Sequence, residues 1–183
     1  MIHPLSDVQT DKVGEGTNVW QYAIILKGAT IGKNCNINCH TFIENDVALG
    51  DNVTVKSGVY LWDGITVKDN VFIGPNVTFT NDKRPRSKKY PDSFQKTIIN
   101  ENASIGAGAI ILGGIEIGAN AMIAAGSLVT KNVPEKALVK GSPAIVSAWL
   151  NDNGTKMEYK NGFFEDNKGN KWQLLNNELI LKL

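Results

Sequence analysis

Large apolar residues recur at every sixth position from Val13 to Phe79: Val13, Val19, Ile25, Ile31, Ile37, Ile43, Leu49, Val55, Leu61, Val67, Ile73 and Phe79. A second run follows in a new phase, through Ile99, Ile105, Ile111, Ile117, Ile123 and Val129. From Val19 on, two positions before each member stands a smaller or β-branched residue, for example Ala23, Cys35, Thr41 and Val53 in the first run and Ala103, Ala109 and Ser127 in the second. Residues two apart on a strand share a face, so both sets point to one interior. A period of six fits neither the 3.6 of an α-helix nor the 3.5 of a coiled coil. The alternating strands of an ordinary β-sandwich would not hold register through twelve units. Gly14, Gly32 and Gly50 stand 18 apart, which sets three hexapeptides to one coil.

The pattern predicts an all-β parallel β-helix. Its coils stack at about 4.8 Å, so six of them make a prism roughly 30 Å long. Between Thr80 and Lys96 the period breaks at NDKRPRSKKYPDSFQK. A prism accommodates such an insertion only by looping it out from a corner, so an extended loop is expected over about 81–96. The repeat ends at KNVPEKALVKGSPAIVSAWL, which places a β-helix domain at 1–150 and a short β appendage at 151–183. The appendage reads as two or three strands with turns at Asn161-Gly162 and Lys168-Gly169. Its expected task is to cover the open end of the prism, where strand edges would otherwise be unpaired.

Composition narrows the class of protein. The chain has 183 residues and a net charge of +1, which gives no overall attraction to nucleic acid or to a membrane surface. No apolar run approaches the roughly 20 residues of a membrane span. The opening MIHPLSDVQT lacks the apolar stretch of a signal peptide, so a cytoplasmic location is expected. Cys35 and Cys39 supply neither a disulfide framework nor a four-ligand zinc site.

The repeat, together with the segment NCHTFIENDVALGDNVTVKSGVYLWDGITVKDNVFIGPNVTFTNDKRPRSK at 38–88, resembles the left-handed β-helix acyltransferases. The [LIV]-G-x4 repeat identifies only the superfamily. GPNVTFTND-x-x-PRS is more specific, and it is most similar to nucleotide-sugar N-acetyltransferases that acylate 3-amino-3,6-dideoxyhexoses linked to dTDP or UDP. The resemblance implies a left-handed prism and acetyl-CoA as cosubstrate. It also implies a homotrimer whose active sites lie in clefts between subunits. Relatives often end in a cysteine-bearing segment; FFEDNKGNKWQLL has no cysteine, so no metal is expected there.

Three residues lie two positions after an inward aliphatic and 18 apart: Asn45, Asp63 and Asn81. They should stack at one corner, about 5 Å from one to the next, beside the loop. Asn and Asp are also common turn residues, and many such corners are merely solvated. Glu44 and Trp62 fall on an adjacent row; an indole there could stack on a sugar or base, or belong to a subunit interface. The candidate catalytic set is Asn81, Asp63 and His40, with His40 at another corner, where it could reach a neighbouring subunit's site or be a plain surface histidine. Attack by a hydroxyl on a thioester needs a general base, whereas an unprotonated amine is already nucleophilic. The loop neighbourhood offers Asn81 where O-acetylating relatives place a histidine.

Candidate substrate contacts are Glu44, Trp62, Asp82, Arg84 and Arg86. The last two belong to a basic loop, with Lys83, Lys88 and Lys89, that suits the phosphates of a nucleotide or of CoA. Resemblance alone points to the later coils for CoA: Gly106, Ala107, Gly108, Ala124, Ala125 and Gly126, with Lys131 or Lys140 for phosphates and Pro143 against the adenine. Where relatives commonly carry lysine after that Pro-Ala, this chain has Ile145. Competing readings are an O-acetyltransferase on a sugar or serine, and a non-catalytic scaffold or glycan binder. A γ-carbonic-anhydrase-like metal site needs three histidines, and the chain has two, His3 and His40.

Overall fold

The computed structural model describes residues 1–182. Eighteen short strands and the start of a nineteenth wind into a three-faced parallel prism. Face one stacks Asp7–Val8, Ile24–Ile25, Phe42–Ile43, Tyr60–Leu61, Thr78–Phe79, Ile110–Ile111 and Leu128–Val129. Face two stacks Thr30–Ile31, Ala48–Leu49, Ile65–Val67, Thr97–Ile99 and Glu116–Ile117. Face three runs from Asn18–Val19 through Asn36–Ile37, Thr54–Val55, Phe72–Ile73, Ser104–Ile105 and Met122–Ile123 to Ala137–Gly141. The chain passes from face three to one to two and round again.

Register follows the period. Ile25 sits beside Ile43, and Ile37 beside Val55. From Ile25 to Ile123 the inward aliphatics are almost wholly shielded from solvent, and the smaller residues two positions earlier are buried with them. Burying each large aliphatic stabilises the fold by about 1.5–3 kcal/mol. The corners turn through left-handed backbone at residues such as Asn34, Asn52, Asn70, Asn102 and Asn120, a conformation asparagine tolerates better than other side chains. Cys35 is one of the small interior residues, and burial pushes its thiol up.

The stretch before the repeat is also part of the prism. Ile2 pairs with Val19 and Asp7–Val8 with Ile24–Ile25, so residues before the repeat already form part of a coil. His3 is held there, its N–H donating to the Val19 carbonyl at 2.8 Å. Val13, the first member of the periodic run, is only partly buried because the coil beneath it is incomplete.

Thr78 pairs with Ile110 rather than with position 96, so fourteen residues are looped out without disturbing the stack. The loop leaves the corner between faces one and two, hereafter the loop edge. The opposite end of face one meets face three at the glycine edge.

At the far end, Ala144–Trp149 folds back antiparallel on Ala137–Gly141. A four-stranded antiparallel sheet follows: Glu158–Lys160, Phe163–Glu165, Lys171–Leu175 and Glu178–Leu181. This is more than the two or three strands expected. The extra strand follows a tight turn at Asn176-Asn177, both left-handed, between two leucine-bearing runs. Trp149, Leu150 and Met157 are buried at the end of the prism, and Phe164, Trp172 and Leu179 pack against the core. Lys136, buried at the last corner, pairs with Asp152 and lies 5.5 Å over the Trp172 ring; Lys168 reaches the same carboxylate at 2.7 Å. Hydrogen bonds from both ammonium groups hold the Asp152 carboxyl below its usual range. Burial pushes the neighbouring Asp166 up, but donors from Asn170, Trp172 and Lys168 outweigh it and bring it down to about 2.

Candidate active site

The loop edge is stitched from coil to coil by side chains. Asn45 Oδ1 accepts the Gly28 N–H at 3.1 Å, and Asp63 Oδ1 accepts the Asp46 N–H at 2.6 Å. Glu44 Oε2 accepts the Asp63 N–H at 2.7 Å, and Asn81 Nδ2 donates to the Asp63 carbonyl at 3.3 Å. Asn45, Asp63 and Asn81 therefore do stack, as their spacing of 18 requires. Much of their hydrogen-bonding capacity goes to the wall itself: Asp63 and Glu44 satisfy corner N–H groups. Asn81 makes the longest of these bonds and is half-buried at the mouth of the loop.

The loop base is closed by the Gln95 N–H donating to the Asn81 carbonyl at 3.1 Å. Above it, the Gly113 N–H donates to Thr80 Oγ1 at 3.0 Å, and the Gly114 N–H donates to Thr97 Oγ1 at 3.2 Å. A Cβ on Gly113 would come within 2.9 Å of the Thr80 carbonyl, 3.0 Å of Gln95 Oε1 and 3.1 Å of the Asn81 Cα. Sequence reading missed Thr80, Gln95, Gly113 and Gly114. A signal was present: a Gly-Gly pair stands at 113–114, where earlier coils have Asn45-Asp46 and Asp63-Gly64.

Asp82 Oδ1 accepts the Arg84 N–H at 2.7 Å, so Asp82 shapes the start of the loop. Arg84, Arg86, Lys83, Lys88 and Lys89 are all exposed, and among the described residues none of them is in an ion pair. Arg86 Nη1 donates to the Pro85 carbonyl at 2.8 Å. The loop thus presents unneutralised cations beside Asn81.

Face one carries an aromatic patch between the two edges. Trp62 folds back from the loop edge and donates its indole N–H to the Phe79 carbonyl at 2.9 Å. Its ring lies 5.7 Å from Phe42 and 5.9 Å from Tyr60. His40 stands on the glycine edge, exposed and stacked on Tyr22 at 5.2 Å. Tyr22, Ile24, His40, Phe42, Tyr60 and Trp62 border a shallow cavity of about 400 Å³.

The glycine edge also carries most of the residues that resemblance assigns to CoA. Gly108 and Gly126 have φ of 65° and 68°, and the space where each Cβ would stand is open. Gly106 differs: a Cβ there would lie 2.5 Å from the Ala125 nitrogen, so the coil stacking alone demands glycine. Ala107 and Ala125 are exposed beside these turns, and Ala124 is half-buried. Lys140 and Pro143 flank the turn that ends this edge, where the Gly141 N–H donates to Ser127 Oγ at 3.3 Å. Lys131 is not with them. It follows Val129 of face one and lies on the loop edge, so one protomer does not bring Lys131 and Lys140 together. His40 likewise stands three coils, about 14 Å, from Gly108 and across face one from Asn81.

Prism, looped-out segment and open glycine edge together define a hexapeptide-repeat transferase. The bacterial transferase hexapeptide (six repeats) pattern matches residues 46–81 and 96–131, and the hexapeptide repeat of succinyl-transferase matches 28–62. The chain is 51% identical, over 158 residues, to the dTDP-3-amino-3,6-dideoxy-alpha-D-galactopyranose 3-N-acetyltransferase of Aneurinibacillus thermoaerophilus, covering 86% of this chain and 82% of that one. A Bacillus cereus protein classed as an acetyltransferase shares the fold at a TM-score of 0.59 and 27% identity, over 81% of this chain and 84% of that one. An N-acyltransferase from Bacillus cereus, solved with dTDP and coenzyme A, superposes with a TM-score of 0.55 at 18% identity, over 81% and 82% of the two chains. The chain belongs to the hexapeptide-repeat nucleotide-sugar N-acetyltransferases.

Proposed function

We propose that this protein transfers an acetyl group from acetyl-CoA to the amino group of a nucleotide-linked 3-amino-3,6-dideoxyhexose. The observation that carries the reading is a loop edge that holds no histidine of its own protomer and commits three of its carboxylates to backbone N–H groups. Glu44 accepts the Asp63 N–H, Asp63 the Asp46 N–H and Asp82 the Arg84 N–H. Within one protomer the histidines lie elsewhere, His3 in the first coil and His40 on the glycine edge. An amine acceptor needs no such base, and the relative from Aneurinibacillus thermoaerophilus is itself an N-acetyltransferase of a dTDP-linked amino sugar.

The chemistry then runs with few protein groups. The amine lone pair attacks the thioester carbonyl carbon, a C–N bond forms, and the C–S bond breaks. The leaving CoA thiolate, whose conjugate thiol has a pKa of about 8.5, takes up the proton the nitrogen loses. A backbone N–H stabilises the oxyanion formed on the way. Asn81 and the Asp63 corner orient the sugar, with His40 contributing as a contact from a neighbouring subunit. Trp62 and Glu44 border the sugar or base, and Arg84 or Arg86 meets the diphosphate. CoA lies along Gly106–Gly108 and Ala124–Gly126, with Pro143 against its adenine and Lys140 of one subunit or Lys131 of another at its phosphates. On this reading two edges of different protomers share one site, and the working form is the homotrimer that the family resemblance implies. A cytoplasmic enzyme that supplies acetylated sugars for surface glycans fits these parts.

The test is acetyl-CoA consumption, followed by thiol release, with a panel of dTDP- and UDP-linked amino sugars and their hydroxyl counterparts. Acetylation of the 3-amino sugars supports the reading; acetylation of hydroxyl sugars alone overturns it in favour of an O-acetyltransferase. Loss of all turnover, with no thermal shift on adding CoA, would leave a scaffold or glycan binder. Light scattering should give about three times 19.9 kDa. A monomer that keeps full specific activity on dilution would sink the shared site.

A further inference from the structure

One buried polar atom at the loop base lacks a partner. Gln95 Oε1 is shielded from solvent and, among the described residues, receives no hydrogen bond. A buried carbonyl without a donor costs stability, so its persistence at a defined place calls for a use. The side chain is seated with care. The Gln95 N–H is tied to the Asn81 carbonyl, and three glycines from neighbouring coils clear room around the residue. A Cβ on Gly64 would stand 2.8 Å from the Gln95 carbonyl oxygen, one on Gly113 3.0 Å from Oε1, and one on Gly114 3.5 Å from Cδ.

The same Gly114 point lies 3.4 Å from Lys83 Nζ. The exposed lysine and the seated glutamine therefore border the same glycine. A lysine ammonium carries three donors on a flexible stem, so one of them can be turned towards the vacant carbonyl. The other two remain free for an anion.

We propose that Gln95 is a positioning residue for Lys83: its side-chain carbonyl seats the Lys83 ammonium, which then grips the diphosphate of a nucleotide ligand. The proposal rests on the nucleotide-sugar reading above, but it concerns binding and not turnover. Fixing the lysine in advance lowers the ordering cost that a free surface lysine carries into a complex. It also explains why the loop is pinned at Gln95, next to the residue that frames the sugar, Asn81.

The probe is dTDP, measured by calorimetry on the intact protein with CoA as the control ligand. Gln95→Met keeps the length and removes the acceptor; Lys83→Met removes the donor from an exposed position. Each should weaken dTDP binding at least fivefold, and the double variant should be no weaker than the poorer single, because both remove one coupled interaction. CoA affinity should stay within twofold, and the melting temperature of Gln95→Met should equal or exceed that of the parent. Multiplying effects in the double variant would overturn the proposal, as would a Lys83→Met protein that binds dTDP normally. A Gln95→Met protein that melts early and loses dTDP and CoA affinity together would show that the amide serves only the fold. Parent protein that binds no dTDP also overturns it. Failure to acetylate amino sugars while dTDP coupling persists would sink the substrate reading and leave the Gln95–Lys83 pair standing.

Discussion

The two edges of face one are built from the same repeat and end up chemically opposite. On the loop edge, side chains reach from one coil to cap the next: Asn45 to Gly28, Asp63 to Asp46, Glu44 to Asp63. On the upper glycine edge the turns at Gly108 and Gly126 have open space above them and only backbone to offer. A side chain committed to the wall is rigid and orients what it touches. Bare backbone without side chains above it lets an extended ligand lie close. On the proposed reading, the difference is how one periodic fold would divide acceptor recognition from cosubstrate binding without a second domain.

Breaking the loop edge should cost most. Gly113→Ala forces a Cβ against the Thr80 carbonyl and the Asn81 Cα, and the loop base must move. A misplacement of about 1 Å at a site can cost about a hundredfold in rate, so kcat/KM should fall by about that factor while the prism core stays intact. Steady-state kinetics beside far-ultraviolet circular dichroism checks it. Activity near the parent's would show that the loop base does not set the site.

Asn81→Ala should lower kcat/KM at least tenfold, about 1.4 kcal/mol of transition-state stabilisation. Among the described residues its side chain makes a single hydrogen bond, the 3.3 Å contact to the Asp63 carbonyl, so thermal stability should change little. The neighbouring Asp63→Ala should show the reverse balance. It strips the acceptor from the Asp46 N–H and should lower unfolding free energy by about 1.5 kcal/mol, read by denaturant titration.

The glycine edge should respond more gently and in a different parameter. Gly126→Ala adds a methyl into open space at a left-handed φ, which costs about 1 kcal/mol of stability. The methyl also narrows the edge, so KM for acetyl-CoA should rise about fivefold with kcat nearly unchanged. A rise in the acceptor's KM instead would exchange the roles given to the two edges.

The smallest effect is expected at His40, also on the glycine edge but three coils below Gly108. His40→Asn keeps a residue that tolerates φ of 57° and loses the stack on Tyr22. Activity should change by less than about threefold. A collapse of activity with the fold intact would make His40 the general base and remove the argument for base-free transfer.

The six-residue period, with glycines 18 apart, by itself determined the interior, the number of hexapeptides per coil, the looped-out segment and the stacking of Asn45, Asp63 and Asn81. Burial imposes that period directly on residue type, so it is written in every coil. What only the tertiary structure decided is where each surface residue spends its hydrogen bonds. It made Asp63 and Glu44 caps and drew His3 into the first coil. It also closed the loop base through Gln95 and the Gly113-Gly114 pair. Those outcomes depend on which neighbour stands alongside in the fold, some 14 to 33 residues distant in the chain, and no local pattern carries that information.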